Sequence, residues 1–185
     1  MSKSKIITII VVLVTVAAGA YLLWSRGGLK SFPPKADPPM AENPSKNFNE
    51  FQEYSSPDYG FSFKYSKGFN VSELDDDSGH TVLVQSYEVE PRKGFQVYIT
   101  PFDEPEPLTA ARILQDLPSS EVIDPKDVLI GEGKAISAVI FLSTSPSFGK
   151  TREVWFVFAE NLYQVTTYEG QDNLIGPILD TLKFN

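Results

Sequence analysis

Ile6 to Trp24, IITIIVVLVTVAAGAYLLW, is nineteen residues without a charge, and it constrains the chain more than any other stretch. As a helix it extends roughly 28 Å at about 1.5 Å per residue, against a bilayer hydrocarbon core of about 30 Å. A half-exposed helix of a water-soluble domain needs a polar face, and this run offers none. The reading is a transmembrane helix over residues 6–24, with Tyr21 and Trp24 at one interface and Lys3 and Lys5 in water at the other. A cleaved signal peptide is the rival, with Ala18-Gly19-Ala20 as its small-residue cut site. Against it, the apolar run continues through Tyr21-Leu22-Leu23-Trp24, which an anchor needs and a signal peptide does not. Lys3 and Lys5 are nearly balanced by Arg26, Lys30 and Lys35, so orientation rests on the short N-terminal tail. That tail favours a cytoplasmic N-terminus, a single pass through the cell membrane and an extracytoplasmic C-terminal domain.

The segments divide as residues 1–24 for the anchor, 25–56 for a linker and lead-in, and 57–185 for the folded domain. Gly27-Gly28, Pro33-Pro34, Pro38-Pro39 and Pro44 punctuate the linker, which has too few large apolar residues to bury a core. Residues 47–56 read as a short helical or irregular lead-in. Charge is divided unevenly. Residues 1–45 hold five Lys or Arg against two Asp or Glu, and residues 46–185 hold eleven against twenty-two. Such an acidic domain repels nucleic acid, and nucleic acid is excluded as a partner. With no cysteine, disulfides, thiol catalysis, Cys-ligated zinc and a lipid-modified N-terminal Cys are also excluded.

From Phe61 onward the pattern has period two. Phe61, Phe63 and Tyr65 alternate with Ser62, Lys64 and Ser66, and strands are also expected over residues 69–74, 80–88 and 95–99. Thr109 is a natural N-cap for a helix over 110–117, stopped by Pro118. Four more strands follow, at 128–130, 135–142, 153–158 and 162–168, rich in β-branched and aromatic residues. Ile136 to Leu142 and Val154 to Phe158 are apolar at nearly every position, as central strands covered on both faces are. Glu160-Asn161 suits the hairpin between the last two strands, with Asn161 left-handed. Leu174, Ile175, Ile178, Leu179 and Leu182 line one face of a final helix from about Asp172, in which Pro177 is acceptable only in or near the first turn. The fold class expected is α+β, an antiparallel β-sheet packed by helices, preceded by one transmembrane helix and a Pro-rich linker.

Tyr59-Gly60-Phe61-Ser62-Phe63-Lys64-Tyr65-Ser66, then Asn161-Leu162-Tyr163-Gln164-Val165-Thr166, then Leu179-Asp180-Thr181-Leu182-Lys183-Phe184 together resemble the PsbP-like fold. The resemblance spans roughly residues 57–185, with Tyr65-Ser66 standing where the family usually has Tyr-Pro. These motifs are structural and none carries chemistry. Similar domains behind an N-terminal membrane anchor occur in uncharacterised bacterial proteins, so the resemblance implies an extracytoplasmic accessory or binding role and no defined reaction.

Each candidate for chemistry has a plainer structural account. His80, the only histidine, reads as a solvent-facing turn residue beside three aspartates. Asp75-x-Asp77-x-Gly79 echoes a calcium loop but lacks the third donor, and Ser86 stands where a bidentate Glu is needed. Glu104 paired with Glu106, or Asp103 with Glu104, suggests a glycosidase carboxylate pair, yet Pro-flanked loop acids are commonly solvated. Gly131-x-Gly133 is too short for a phosphate loop and precedes a strand. Asn70-Val71-Ser72 is a glycosylation sequon that matters only on a eukaryotic secretory route. Trp155, Phe156 and Phe158 fit a core strand better than a pocket. No catalytic, cofactor-binding or metal residue is assigned, and no cofactor is expected. The function expected is a membrane-anchored extracytoplasmic interaction or accessory module, not an enzyme. Its partners are lipid through residues 6–24 and an envelope or membrane protein. An envelope hydrolase using carboxylates is the alternative.

Overall fold

The computed structural model describes residues 51–86, 93–104, 107–117, 122–145 and 149–185. Five strands come first, β1 (Phe51–Ser56), β2 (Phe61–Ser66), β3 (Phe69–Asp76), β4 (Gly79–Ser86) and β5 (Gly94–Pro101), followed by helix α1 (Ala110–Asp116). Then come β6 (Val122–Ile130), β7 (Ile136–Ser145), β8 (Gly149–Phe158), β9 (Asn161–Tyr168), helix α2 (Asp172–Thr181) and β10 (Lys183–Phe184). Seven strands form one antiparallel sheet in the order β3-β4-β5-β9-β8-β7-β6, and a second sheet has the order β1-β2-β10.

The apolar runs explain the layering. In β8, Val154 and Phe156 point to one face and Trp155 to the other, so the centre of the large sheet must be covered twice. On the first face lie Phe61 and Phe63 of β2 together with Ile175, Ile178 and Leu179 of α2. Phe156 stacks on Tyr163 there, with ring centres 4.9 Å apart. On the second face Ile113 and Leu117 close over Val139, Phe141, Trp155 and Leu162. Ile140, expected on a buried strand, is only partly buried at the margin of the first cluster. An apolar void of about 10 Å³ among Phe61, Phe95, Val97 and Phe156 offers a water no polar partner.

The α+β expectation needs correction. Strands dominate the described residues, and only two α-helices are present among them, seven and ten residues long. Much of the packing assigned to helices is done by the small sheet. Its strand β1 occupies residues expected to be helical or irregular, because FQEYSS carries few apolar side chains and its pairing with β2 comes from backbone bonds. No helix among the described residues is long and apolar enough to cross a membrane. The run 6–24 and the linker to residue 50 lie outside the described residues.

Two local readings also change. The β8–β9 turn is Ala159-Glu160, both left-handed at φ 46° and 61°, and Asn161 already belongs to β9. Two left-handed central residues match the twist of a two-residue hairpin, so strand geometry overrides residue preference. Pro177 sits in the second turn of α2. Burial of Ile175, Ile178, Leu179 and Leu182 offsets an interior-proline cost of about 3 kcal/mol.

The two sheets share one polarity. Gln52 Nε2 donates to the Phe69 carbonyl at 3.3 Å, and the Tyr59 ring lies 4.9 Å from His80. Phe51, the first described residue, is therefore at the end of the domain holding the β2–β3 turn. Asp76 to Gly79, Pro101 and the β8–β9 turn form the opposite end.

Candidate functional site

Two clusters of buried polar groups stand out. The first joins the small sheet to the edge of the large one. His80, expected to face solvent, is 5% exposed because Tyr59 folds over its ring. Its Nδ1 lies 2.7 Å from Asp75 Oδ1, and its Nε2 lies 3.5 Å from Glu73 Oε2 without forming a hydrogen bond. The Tyr54 hydroxyl donates to the other Glu73 oxygen at 2.9 Å. Burial, and then this carboxylate, push the Tyr54 hydroxyl pKa well up. A histidine oriented by an aspartate is two thirds of a hydrolytic triad. The nitrogen that would activate a nucleophile is instead closed to solvent and turned to a carboxylate, so the cluster ties β1, β3 and β4 together.

The neighbouring aspartates make a turn. Asp76 Oδ1 accepts from the backbone N–H of Ser78 at 2.7 Å and of Gly79 at 3.0 Å, and from the Ser78 hydroxyl. The Ser78 hydroxyl, then these backbone donors, hold its carboxyl below the usual range. These bonds make Asp76 the capping residue of the β3–β4 turn, while Asp75 is bonded to His80. Among the described residues no set of three His, Asp or Glu side chains is placed to hold a metal.

The second cluster lies on the α1-covered face. Glu153 is buried in β8, accepting from Thr151 Oγ1 at 2.7 Å, Trp155 Nε1 at 3.2 Å and Thr166 Oγ1 at 2.7 Å. Burial raises its pKa, and the three donors oppose the rise. Beside it Gln164 is 0% exposed, and neither side-chain amide atom has a hydrogen-bond partner. Sequence reasoning passed over both. The available signal was a charged residue directly before the apolar run Val154 to Phe158 and an amide between Tyr163 and Val165.

Glu153 gives a pH test. A raised folded-state pKa means the folded protein holds the proton more tightly. Stability should therefore fall as pH rises from the ordinary glutamate range through the raised value, by up to about 1.4 kcal/mol per pH unit, and level off above it. Glu153→Gln removes this dependence. Melting curves of variant and wild type should diverge with rising pH in the variant's favour, and parallel curves would refute the raised value.

Glu104 pairs with Arg112 Nη2 at 2.6 Å, Arg112 Nε meets Asp116 at 3.0 Å, and the guanidinium lies over Phe102, so Glu104 pins the loop before α1 instead of being solvated. Glu106 lies outside the described residues. Asp103 and Asp77 are exposed, as are Asn70 and Ser72 on edge strand β3. Gly131 is required by a close approach: at φ 84°, a Cβ there would lie 2.8 Å from Ile136 Cδ1 and 3.1 Å from the Leu182 carbonyl oxygen. Gly131 and Glu132 donate backbone bonds to Leu179 and Leu182, each at 2.8 Å. Trp155 and Phe156 are core residues, and Phe158 is partly exposed.

No protein-family model and no curated protein sequence matches the chain. Solved structures are similar in fold. The solution structure of the cyanobacterial PsbP, CyanoP, from Synechocystis aligns at a TM-score of 0.52 and 12% identity, over 80% of this chain and all of that one. A crystal structure from Bacteroides thetaiotaomicron aligns at 0.51 and 14% identity, over 74% of this chain. The match spans about half, 49%, of the Bacteroides chain. These likenesses establish a PsbP-like fold.

Proposed function

We propose that the protein is a tethered interaction module, in which the apolar run 6–24 holds the chain in a membrane and the PsbP-like domain contacts an envelope or membrane protein. The observation that carries this reading is how the chemistry-bearing groups are used. Glu153 is committed to three hydrogen bonds, Glu104 to Arg112, and His80 lies between carboxylates beneath Tyr59, each engaged inside the packing. A hydrolase needs convergent titratable groups open to substrate, whereas a tethered module needs a folded surface and a reach. The linker supplies the reach. Tethering raises effective concentration toward the millimolar range when linker length matches the distance to a co-anchored partner.

The full chain is expected to stay with membranes through high salt and carbonate, while residues 46–185 alone are soluble. Cross-linking in intact cells should capture a membrane or envelope protein through the domain. Deleting residues 32–44 should weaken capture with the domain still folded, and changing Asp75, Asp76 and Asp77 to Asn should not. Recovery of a mature chain beginning at Tyr21 would replace the anchor by a signal peptide. Turnover of an envelope substrate, lost on a single carboxylate substitution, would replace the module by an enzyme.

A further inference from the structure

The geometry points to a docking surface at the end of the domain opposite the linker, fitted to a partner segment that presents an apolar side chain flanked by lysine or arginine. This inference rests on the tethered-module reading and names its contact surface. Phe158, the last residue of β8, is 39% exposed and stacks on Phe184 of β10 with ring centres 3.7 Å apart. The two rings form an apolar platform at the rim of the first sheet face. The turn that follows is strained, since neither Ala159 nor Glu160 is a residue that favours the left-handed region. Its conformation is fixed by Phe102 N–H donating to the Glu160 carbonyl at 2.7 Å and Asn161 Nδ2 donating to that of Ala159 at 2.9 Å. A strained turn fixed on both sides presents Phe158 and Glu160 rigidly, and rigidity lowers the ordering cost of binding.

Charge identifies the occupant. Glu160 follows the platform in sequence, and Glu132 is bonded to Leu182 just before β10. Both carboxylates are exposed, and among the described residues neither has an ion-pair partner. The nearby cation Lys134 is engaged by Asp180. An apolar platform with a carboxylate rim complements an apolar side chain between basic residues and repels an acidic segment. Its position away from the linker leaves it free to meet a partner standing off the membrane.

The test uses the full chain in phosphatidylcholine nanodiscs and two benzophenone-bearing peptides, leucine and phenylalanine flanked by lysines in one and by glutamates in the other. The lysine peptide should label Phe158, Phe184 and the β8–β9 turn. The glutamate peptide should label them at least about ten-fold less, and so should the lysine peptide on a Glu132→Lys, Glu160→Lys variant with unchanged melting. Phe158→Ser should lower labelling with the rim charges intact. Equal labelling by both peptides, full labelling of the charge-reversed variant, or adducts confined to other surfaces would overturn the proposal. So would cross-linking of Phe158 to residues 25–47 of the same chain or to a second copy. A chain that stays in carbonate-washed membranes but labels elsewhere refutes this surface and leaves the tether standing. A chain that leaves the membrane refutes the tether, and its peptide labelling still decides the surface.

Discussion

Trp155→Ala should cost the domain about 3–5 kcal/mol, the range for truncating a buried aromatic, against a total stability of about 5–15 kcal/mol for a domain of this kind. Trp155 is buried under α1, edge-on to Phe141 with ring centres 5.3 Å apart. Its indole N–H also supplies one of the three donors to Glu153. Removing it opens a cavity and withdraws a partner from a buried carboxyl group, two costs with different origins. Trp155→Phe separates them, because it restores most of the packing but not the donor. The phenylalanine variant should retain a deficit of about 0.5–1.5 kcal/mol from the lost hydrogen bond, since the same Glu153 oxygen still accepts from Thr166. Urea midpoints provide the readout. If the alanine variant melts within a degree or two of wild type, the two-faced burial of β8 is wrong. Ile140→Ala should cost less, near 2 kcal/mol, because Ile140 is only partly buried.

The second large effect has the opposite sign. Gln164 lies opposite Tyr98 on one side and Trp155 on the other, fully buried, with both amide atoms lacking partners. Each unmet polar atom carries a desolvation cost that methionine, similar in length and shape, does not. Gln164→Met should raise stability by about 1–3 kcal/mol and the melting temperature by several degrees. A loss of stability would show that the amide is satisfied in solution, by a buried water bridging it to its neighbours.

Legibility followed the range of the signal. Alternation at Phe61, Phe63 and Tyr65, and the apolar run from Val154 to Phe158, placed their strands because side-chain period is a local property. Strand β1 escaped because FQEYSS shows little alternation and its register comes from β2. His80 was misplaced for the same reason. What buries it is Tyr59 and Glu73, and one of these belongs to the loop between two strands of the other sheet.

By itself the sequence determined the uncharged run 6–24, the absence of cysteine, the acidic balance beyond residue 45 and the period of most strands. All of these depend on composition or on neighbours a few positions away. Tertiary structure alone decided the strand order β3-β4-β5-β9-β8-β7-β6, the three donors that gather on Glu153, the unpartnered amide of Gln164 and the stacking of Phe158 on Phe184. Burial and hydrogen-bond partnership are set by residues far apart in the chain, and a strand's own pattern says which side chains share a face but not what covers them.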